Sequence, residues 1–432
     1  MKLAASFLFS FGTKIFSLFI LLIARVLTAR ILGPANLGSI GNALNLTTII
    51  SRWGSLGIAP AVQFTTSKYP KRRNVLLVYT ITISATIGVL NWLVLIYFKK
   101  EISNWQFSSD DLGSYVFHRF LPWLPVIMLS MTLPIFLLGL GKIRRYSLIQ
   151  ILPLLFQTTI LCSAFCLPEK VEIIIAAQLI YWIATVVIAL TLVEYRSFSY
   201  QFDQKLLVTF SAYAIKSWPQ VLLQFGISRF GILVGSQYLS TKDLGYFVLA
   251  SNLSESFLLL NTSVTPLIFN KIAAGGSDVA LLGRMLRFSN VAFLIAFVVS
   301  MVFGKPLFLL FFGLEFERTW MLFLELLVAV LFQGMIRFIL NYLAALGHNI
   351  TVSLILICQL AILFLIGIPA CQLFGIQGLC HASLCAVLVG FVSCMFALGK
   401  FERDYHSALS LFSFQKDDIK LLDRLVKRFR DL

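Results

Sequence analysis

The sequence predicts an all-α integral membrane protein with about twelve transmembrane helices in two pseudo-symmetric six-helix bundles. Three observations carry that expectation: an apolar excess, a regular series of long apolar runs, and a repeat between the two halves of the chain. Hydrophobic residues make up 59% of the 432 residues and charged residues only 12%, against roughly a quarter charged in soluble domains. A soluble core cannot hide that much apolar surface, so the chain is expected in lipid.

Apolar runs fall at 5–31, 37–61, 75–98, 116–138, 148–167 and 173–193, then at 217–238, 245–270, 288–303, 319–345, 350–369 and 378–398. Most approach the ~20 residues that cross a hydrocarbon layer of ~30 Å. The first run follows a basic N-terminus, as a signal peptide would. Lys14 interrupts it, however, and it continues to Ile31, which predicts an uncleaved first helix. The runs divide the chain into a bundle over 1–193, a cytoplasmic linker over 194–216, a second bundle over 217–398 and a basic amphipathic tail over 399–432.

Alternate connections differ in charge. One set holds Lys68, Lys71, Arg72 and Arg73, then Lys142, Arg144 and Arg145, then Lys271, Arg284 and Arg287. Basic loops stay cytoplasmic, which predicts a multi-pass membrane protein with both termini in the cytoplasm. The net charge of +16 is thereby a topology signal, and no nucleic-acid partner is needed to explain it. In the tail, Asp417 and Asp418 precede Ile419, Leu422, Leu425, Val426 and Phe429, spaced as one helical face. Such a helix suits the anionic inner leaflet of the bilayer.

Leu32-Gly33-Pro34-Ala35-Asn36-Leu37-Gly38 follows the first helix, and Leu239-Ser240-Thr241-Lys242-Asp243-Leu244-Gly245 follows the seventh. The same register pairs Ala43 with Ala250, Asn45 with Asn252 and Leu46 with Leu253. Six helices separate the copies, so both halves enter the membrane in the same sense. Two bundles related by an axis along the membrane normal are expected.

Six basic residues interrupt helices: Lys14, Arg25, Arg52, Lys216, Arg229 and Arg337. Only Glu255 and Glu325 oppose them. A charge near the bilayer centre costs at least ~2.5 kcal/mol on the insertion scale, so such groups face a cavity or a partner. Lys216, at a helix end, can snorkel. Lys14 and Arg25 lie close to three turns apart on one face, and Asn45 shares a face with Arg52, as Asn252 does with Glu255. The basic excess points to an anionic substrate, because the arginine fork binds phosphate oxygens through paired hydrogen bonds. Candidate substrate-binding residues are therefore Lys14, Arg25, Asn45, Arg52, Arg229, Asn252 and Arg337, with Glu255 and Glu325 as candidate ion-coupling acids. No phosphate-loop or zinc-protease motif occurs, so neither cofactor nor metal is expected. The seven cysteines lie in or beside apolar runs and read as packing residues, and His381 with Cys385 at i and i+4 lacks further ligands nearby in sequence.

Ala29-Arg30-Ile31-Leu32-Gly33-Pro34-Ala35-Asn36-Leu37-Gly38 and Trp53-Gly54-Ser55-Leu56-Gly57-Ile58 resemble the opening of the Wzx-type polysaccharide and O-antigen flippases. Leu310–Phe316, Tyr342–Gly347 and Phe374–Gly378 resemble later landmarks of that family. The likeness spans nearly the whole chain and rests on the ensemble of loose motifs. It implies the MATE-like fold of the multidrug/oligosaccharidyl-lipid/polysaccharide exporter superfamily, with a central cavity between two bundles. It also implies a non-enzymatic carrier that moves an undecaprenyl-pyrophosphate-linked oligosaccharide to the periplasmic leaflet. Other polysaccharide-assembly proteins would be further partners. Members often carry Asp before the arginine of helix seven, whereas Ser228 precedes Arg229 here. Rival readings are a drug or cation exporter of the same fold and a polytopic O-antigen polymerase. The polymerases resemble chains with a long periplasmic loop, and the longest outer connection here, 99–115, is short.

Overall fold

The computed structural model describes residues 2–108, 110–164, 167–193, 202–258 and 278–401. The helices are α1 (Lys2–Gly54), α2 (Ile58–Lys68), α3 (Arg73–Tyr97), α4 (Lys99–Gln106), α5 (Asp111–Phe120), α6 (Leu124–Gly139), α7 (Ile143–Ser163), α8 (Lys170–Leu192), α9 (Gln204–Tyr238), α10 (Thr241–Ser256), α11 (Val279–Phe312), α12 (Glu317–Ala345) and α13 (Asn349–Phe401). No strand occurs among the described residues.

Twelve crossings follow once two helices are recognised as double. A straight helix of 53 residues would be ~80 Å long, more than twice the hydrocarbon thickness. Both α1 and α13 are that long, and both break at a glycine with positive φ: 68° at Gly33 and 59° at Gly375. Side chains with a Cβ resist that conformation. Pro34, which opens the second half of α1, suits the first turn of a new helix. Across the 3₁₀ turn Leu121–Trp123, α5 and α6 form one crossing. Eight described segments are long and apolar enough to span a membrane, the two double helices among them. The others are α9, the more polar crossing, and α10; the rest of the expected run 245–270 lies outside the described residues. So does the expected tail helix at 417–430.

Several boundaries differ from the sequence expectation; the ninth crossing runs Val279–Phe312 instead of 288–303. The second crossing is broken at 55–57, where Leu56 (φ 48°) and Gly57 (φ 75°) are left-handed, and resumes as α2. The seventh begins at Gln204, so residues 204–216, expected in the linker, are helical. Asp203 caps α9 by accepting from Leu206 N at 3.1 Å. It is held there by Arg72 and by the Tyr79 hydroxyl, which donates to its carbonyl at 3.1 Å. An apolar run cannot reveal a polar helical turn fixed by a distant loop.

The halves meet reciprocally. A Cβ added at Gly38 would lie 1.9 Å from the Thr241 carbonyl oxygen, and one at Gly245 would lie 1.8 Å from that of Pro34. Gly38 and Gly245 are equivalent in the repeat, as are Pro34 and Thr241, so each copy makes the same contact with the other. Such exchange of partners is what a twofold relation generates. Gly41 faces its own equivalent, Val248, whose Cγ1 would sit 2.7 Å from an added Cβ. At the same end, Arg30 donates through Nε to the Phe311 carbonyl at 2.5 Å. Its equivalent, Gln237, donates to the Trp105 carbonyl at 3.0 Å. The bundles are thus pinned together at the end carrying residues 30–38 and 237–245.

Packing is that of a lipid-solvated protein. On α3, Thr80, Ser84 and Gly88 are buried, while Leu90, Leu93 and Val94 are exposed. Small and polar side chains mediate helix contacts, where lipid tails supply no hydrophobic drive.

A candidate binding cavity

Away from that seal, the halves enclose a cavity of about 650 Å³. It runs from Leu37, Leu161 and Ile174 near the seal to Lys14, Tyr146 and Ile149 toward the opposite end. The first half of α1 presents Lys14 and Arg25, and its second half Asn45 and Arg52. Arg229 comes from α9 and Asn252 from α10. Six of the seven candidate binding residues therefore line one space. The shared helical faces inferred for Lys14 with Arg25, and for Asn45 with Arg52, both point into it.

Several of these cations are held by specific neighbours. Arg229 pairs with Glu255 at 3.2 Å. Where Ser228 stands before the arginine, the acid comes instead from α10. Arg25 donates through Nη1 to the Ser256 hydroxyl at 2.9 Å, crossing between the halves. Phe225, one turn before Arg229, meets two guanidiniums: those of Arg52 and Arg229 each lie 5.8 Å from its ring centroid. The ring's negative face attracts both cations, which would repel each other. Lys14 donates to the Gln150 amide oxygen, and Gln150 donates in turn to the Tyr146 hydroxyl at 2.8 Å.

Arg337 and Glu325, both on α12, do not line this cavity. Arg337 lies within electrostatic reach of Glu255 and Arg229. Its Nε is buried without a hydrogen-bond partner among the described residues. Glu325 stands instead 3.9 Å from His381 Nε2 on α13. That places His381 beside an acid on another helix. Among the described residues no cluster of three metal-ligating side chains occurs, and the six described cysteines are free.

Sequence reasoning centred on charge missed one wall altogether. From α7 and α8 come Gln150, Gln157, Gln178, Tyr181, Trp182 and Thr185, all neutral. Their signal was present: Gln150 and Gln157 are seven apart, and Gln178, Tyr181, Trp182 and Thr185 follow helical spacing inside apolar runs. Gln157 Nε2 donates to Gln178 Oε1 at 2.9 Å, joining the two helices.

A second cavity, about 580 Å³ and apolar, lies between the halves beside the break in the second crossing. Trp53, Leu56, Leu90, Trp218, Leu222 and Leu360 are among its walls. The Trp218 indole donates to the Trp53 carbonyl at 2.8 Å, taking up a backbone group released near the break.

Twelve crossings in two equivalent halves around a polar cavity define the class: the fold is that of membrane transporters of the MATE type. The chain is similar to an inward-facing multidrug resistance MATE family transporter of the MOP superfamily, with a TM-score of 0.70, 15% identity, and coverage of 89% of this chain and 96% of that one. It is similar to the lipid II flippase MurJ in an inward closed conformation, with a TM-score of 0.68, 16% identity, and coverage of 91% and 87%. The eukaryotic MATE transporter AtDTX14 matches with a TM-score of 0.66, 16% identity and 98% of each chain. No family model matches the sequence, and no curated protein does. These likenesses establish the fold.

Proposed function

We propose that the protein is a flippase of the bacterial inner membrane. It carries an undecaprenyl-pyrophosphate-linked oligosaccharide, an O-antigen or capsule repeat unit, from the cytoplasmic to the periplasmic leaflet. The observation that carries this reading is the cavity's charge. Lys14, Arg25, Arg52 and Arg229 line one space, and Glu255 is the acid paired there. Burying that excess of cations is costly without an anion to match it, and a pyrophosphate presents oxygens that guanidinium forks bind in pairs.

The halves of the carrier are 1–193 and 217–398, with both termini cytoplasmic, and transport is a rocking of one half against the other. Opening toward the periplasm would separate the Gly38–Gly245 seal. The prenyl chain stays in lipid or in the apolar cavity beside Trp53 while the head group crosses. The sugar and pyrophosphate are thereby spared hydrocarbon, where unsatisfied polar groups cost several kcal/mol each. Glu255, released from Arg229 when the anion binds, is the candidate coupling acid, with Glu325 as a second.

Deleting the gene in its host tests the reading. Surface polysaccharide should be lost, with lipid-linked repeat units accumulating on the cytoplasmic leaflet. Normal surface polysaccharide would refute it. Cysteine labelling should find 71–73 accessible only from the cytoplasm, and periplasmic labelling there would invert the topology. A drug exporter of the same fold is the second reading, favoured by the likeness to multidrug transporters. Increased sensitivity of the deletion strain to dyes, with intact polysaccharide, would select it.

A further inference from the structure

The cavity is divided chemically. Its charged groups come from α1 and α9, whereas none of its lining residues from α7 and α8 carries a charge. Asn45, on the same half of α1 as Arg52, also lines the cavity and is only 5% exposed. Neither its amide nitrogen nor its amide oxygen has a hydrogen-bond partner among the described residues. A buried amide left so is a cost to the fold, since each unpaired polar atom loses its hydration without replacement. Its donor and acceptor together match a pair of neighbouring hydroxyls.

Across the cavity, the Gln157–Gln178 bond uses one oxygen and one nitrogen. It leaves Gln157 Oε1 and Gln178 Nε2 without a partner among the described residues. Tyr181 and Trp182 follow on the same wall. Trp182 is fixed edge-on against Phe120 at 5.2 Å between centroids. Amides that offer both a donor and an acceptor to hydroxyls, beside rings that cover apolar C–H faces, suit a carbohydrate, whereas a phosphate's oxygens use the donors alone.

We infer that Asn45, Gln157, Gln178, Tyr181 and Trp182 form a subsite for the uncharged sugars of the head group, adjoining the arginine site where Tyr181 lies within electrostatic reach of Arg52. This rests on the flippase reading and adds to it where the sugars lie and which side chains discriminate among them.

Binding to the purified full-length protein in lipid nanodiscs, measured by calorimetry, separates the two parts. One probe is the oligosaccharide freed from the host's lipid-linked repeat by mild acid, and the other is inorganic pyrophosphate. Wild-type protein should bind both. Asn45→Leu and the double variant Gln157→Leu/Gln178→Leu should lose at least about tenfold in oligosaccharide affinity, as sites built to hydrogen-bond a hydroxyl do when a partner is removed. Their pyrophosphate affinity should stay within about twofold. Arg52→Ala should show the reverse. Asn45→Leu should also unfold at the same temperature or higher without ligand, because it removes an unpaired buried amide. Unchanged oligosaccharide affinity in both leucine variants would overturn the subsite, as would equal loss for both probes, the mark of a merely structural role. Binding of pyrophosphate alone by wild type would sink the sugar subsite and leave the flippase reading standing. Binding of neither would remove both.

Discussion

At the seam between the halves, equivalent residues answer one another; in the cavity, most do not. Gly38 lies against Thr241 as Gly245 lies against Pro34, and Gly41 faces Val248. In the cavity, Arg25 corresponds to Ile232 and Arg229 to Leu22, and Glu255, the partner of Arg229, corresponds to Thr48, while Asn45 and Asn252 match. The difference has a physical origin. A close approach of two helices on an axis constrains both copies at once, because a side chain added to either blocks the same contact. An asymmetric head group imposes no such rule, so its phosphate and sugar can be met by different helices. Symmetry here belongs to packing, and asymmetry to binding.

The largest effect is expected on the binding side. Arg52→Ala or Arg229→Ala, expressed in a strain lacking the gene, should abolish surface polysaccharide at normal protein abundance in the membrane. Lysine should restore only part of it, since it keeps the charge and loses the fork. Full activity of both alanine variants would dissolve the contrast, because the cavity cations would then be structural.

On the packing side, Gly38→Leu and Gly245→Leu should each lower membrane abundance and melting temperature. Overpacking of this kind costs about 1–3 kcal/mol or more, and here the obstacle is backbone. Gly12→Leu, with open space around it, should do neither. Equal tolerance at all three positions would show that the seal is not tight.

A charge exchange sharpens the distinction. Arg229→Glu alone should destabilise the protein by placing two acids together. Arg229→Glu with Glu255→Arg should recover stability while transport stays well below wild type, because the guanidinium no longer reaches the site from α9. Thermal unfolding and surface polysaccharide are measured side by side. Full recovery of transport would reduce the pair to an interchangeable ion bridge. The smallest effect is expected for Trp218→Phe. It removes one hydrogen bond to the Trp53 carbonyl, worth about 1 kcal/mol, and should lower the melting temperature slightly with transport preserved.

The sequence by itself determined the membrane class, the number of crossings, the repeat register and six of the residues that line the cavity. Each of these is written in local chemistry: apolar runs of fixed length, a charge that needs a reason to be in lipid, and residues one or more whole turns apart. Only the tertiary structure decided which acid meets Arg229, that Phe225 meets two guanidiniums, and that Glu325 and Arg337 lie outside the cavity. It alone placed the glutamine and aromatic side chains of α7 and α8 in the same cavity as the arginines. Those facts depend on how helices far apart in the chain rotate against one another, and neutral polar residues within an apolar run carry no mark of which neighbour they will face.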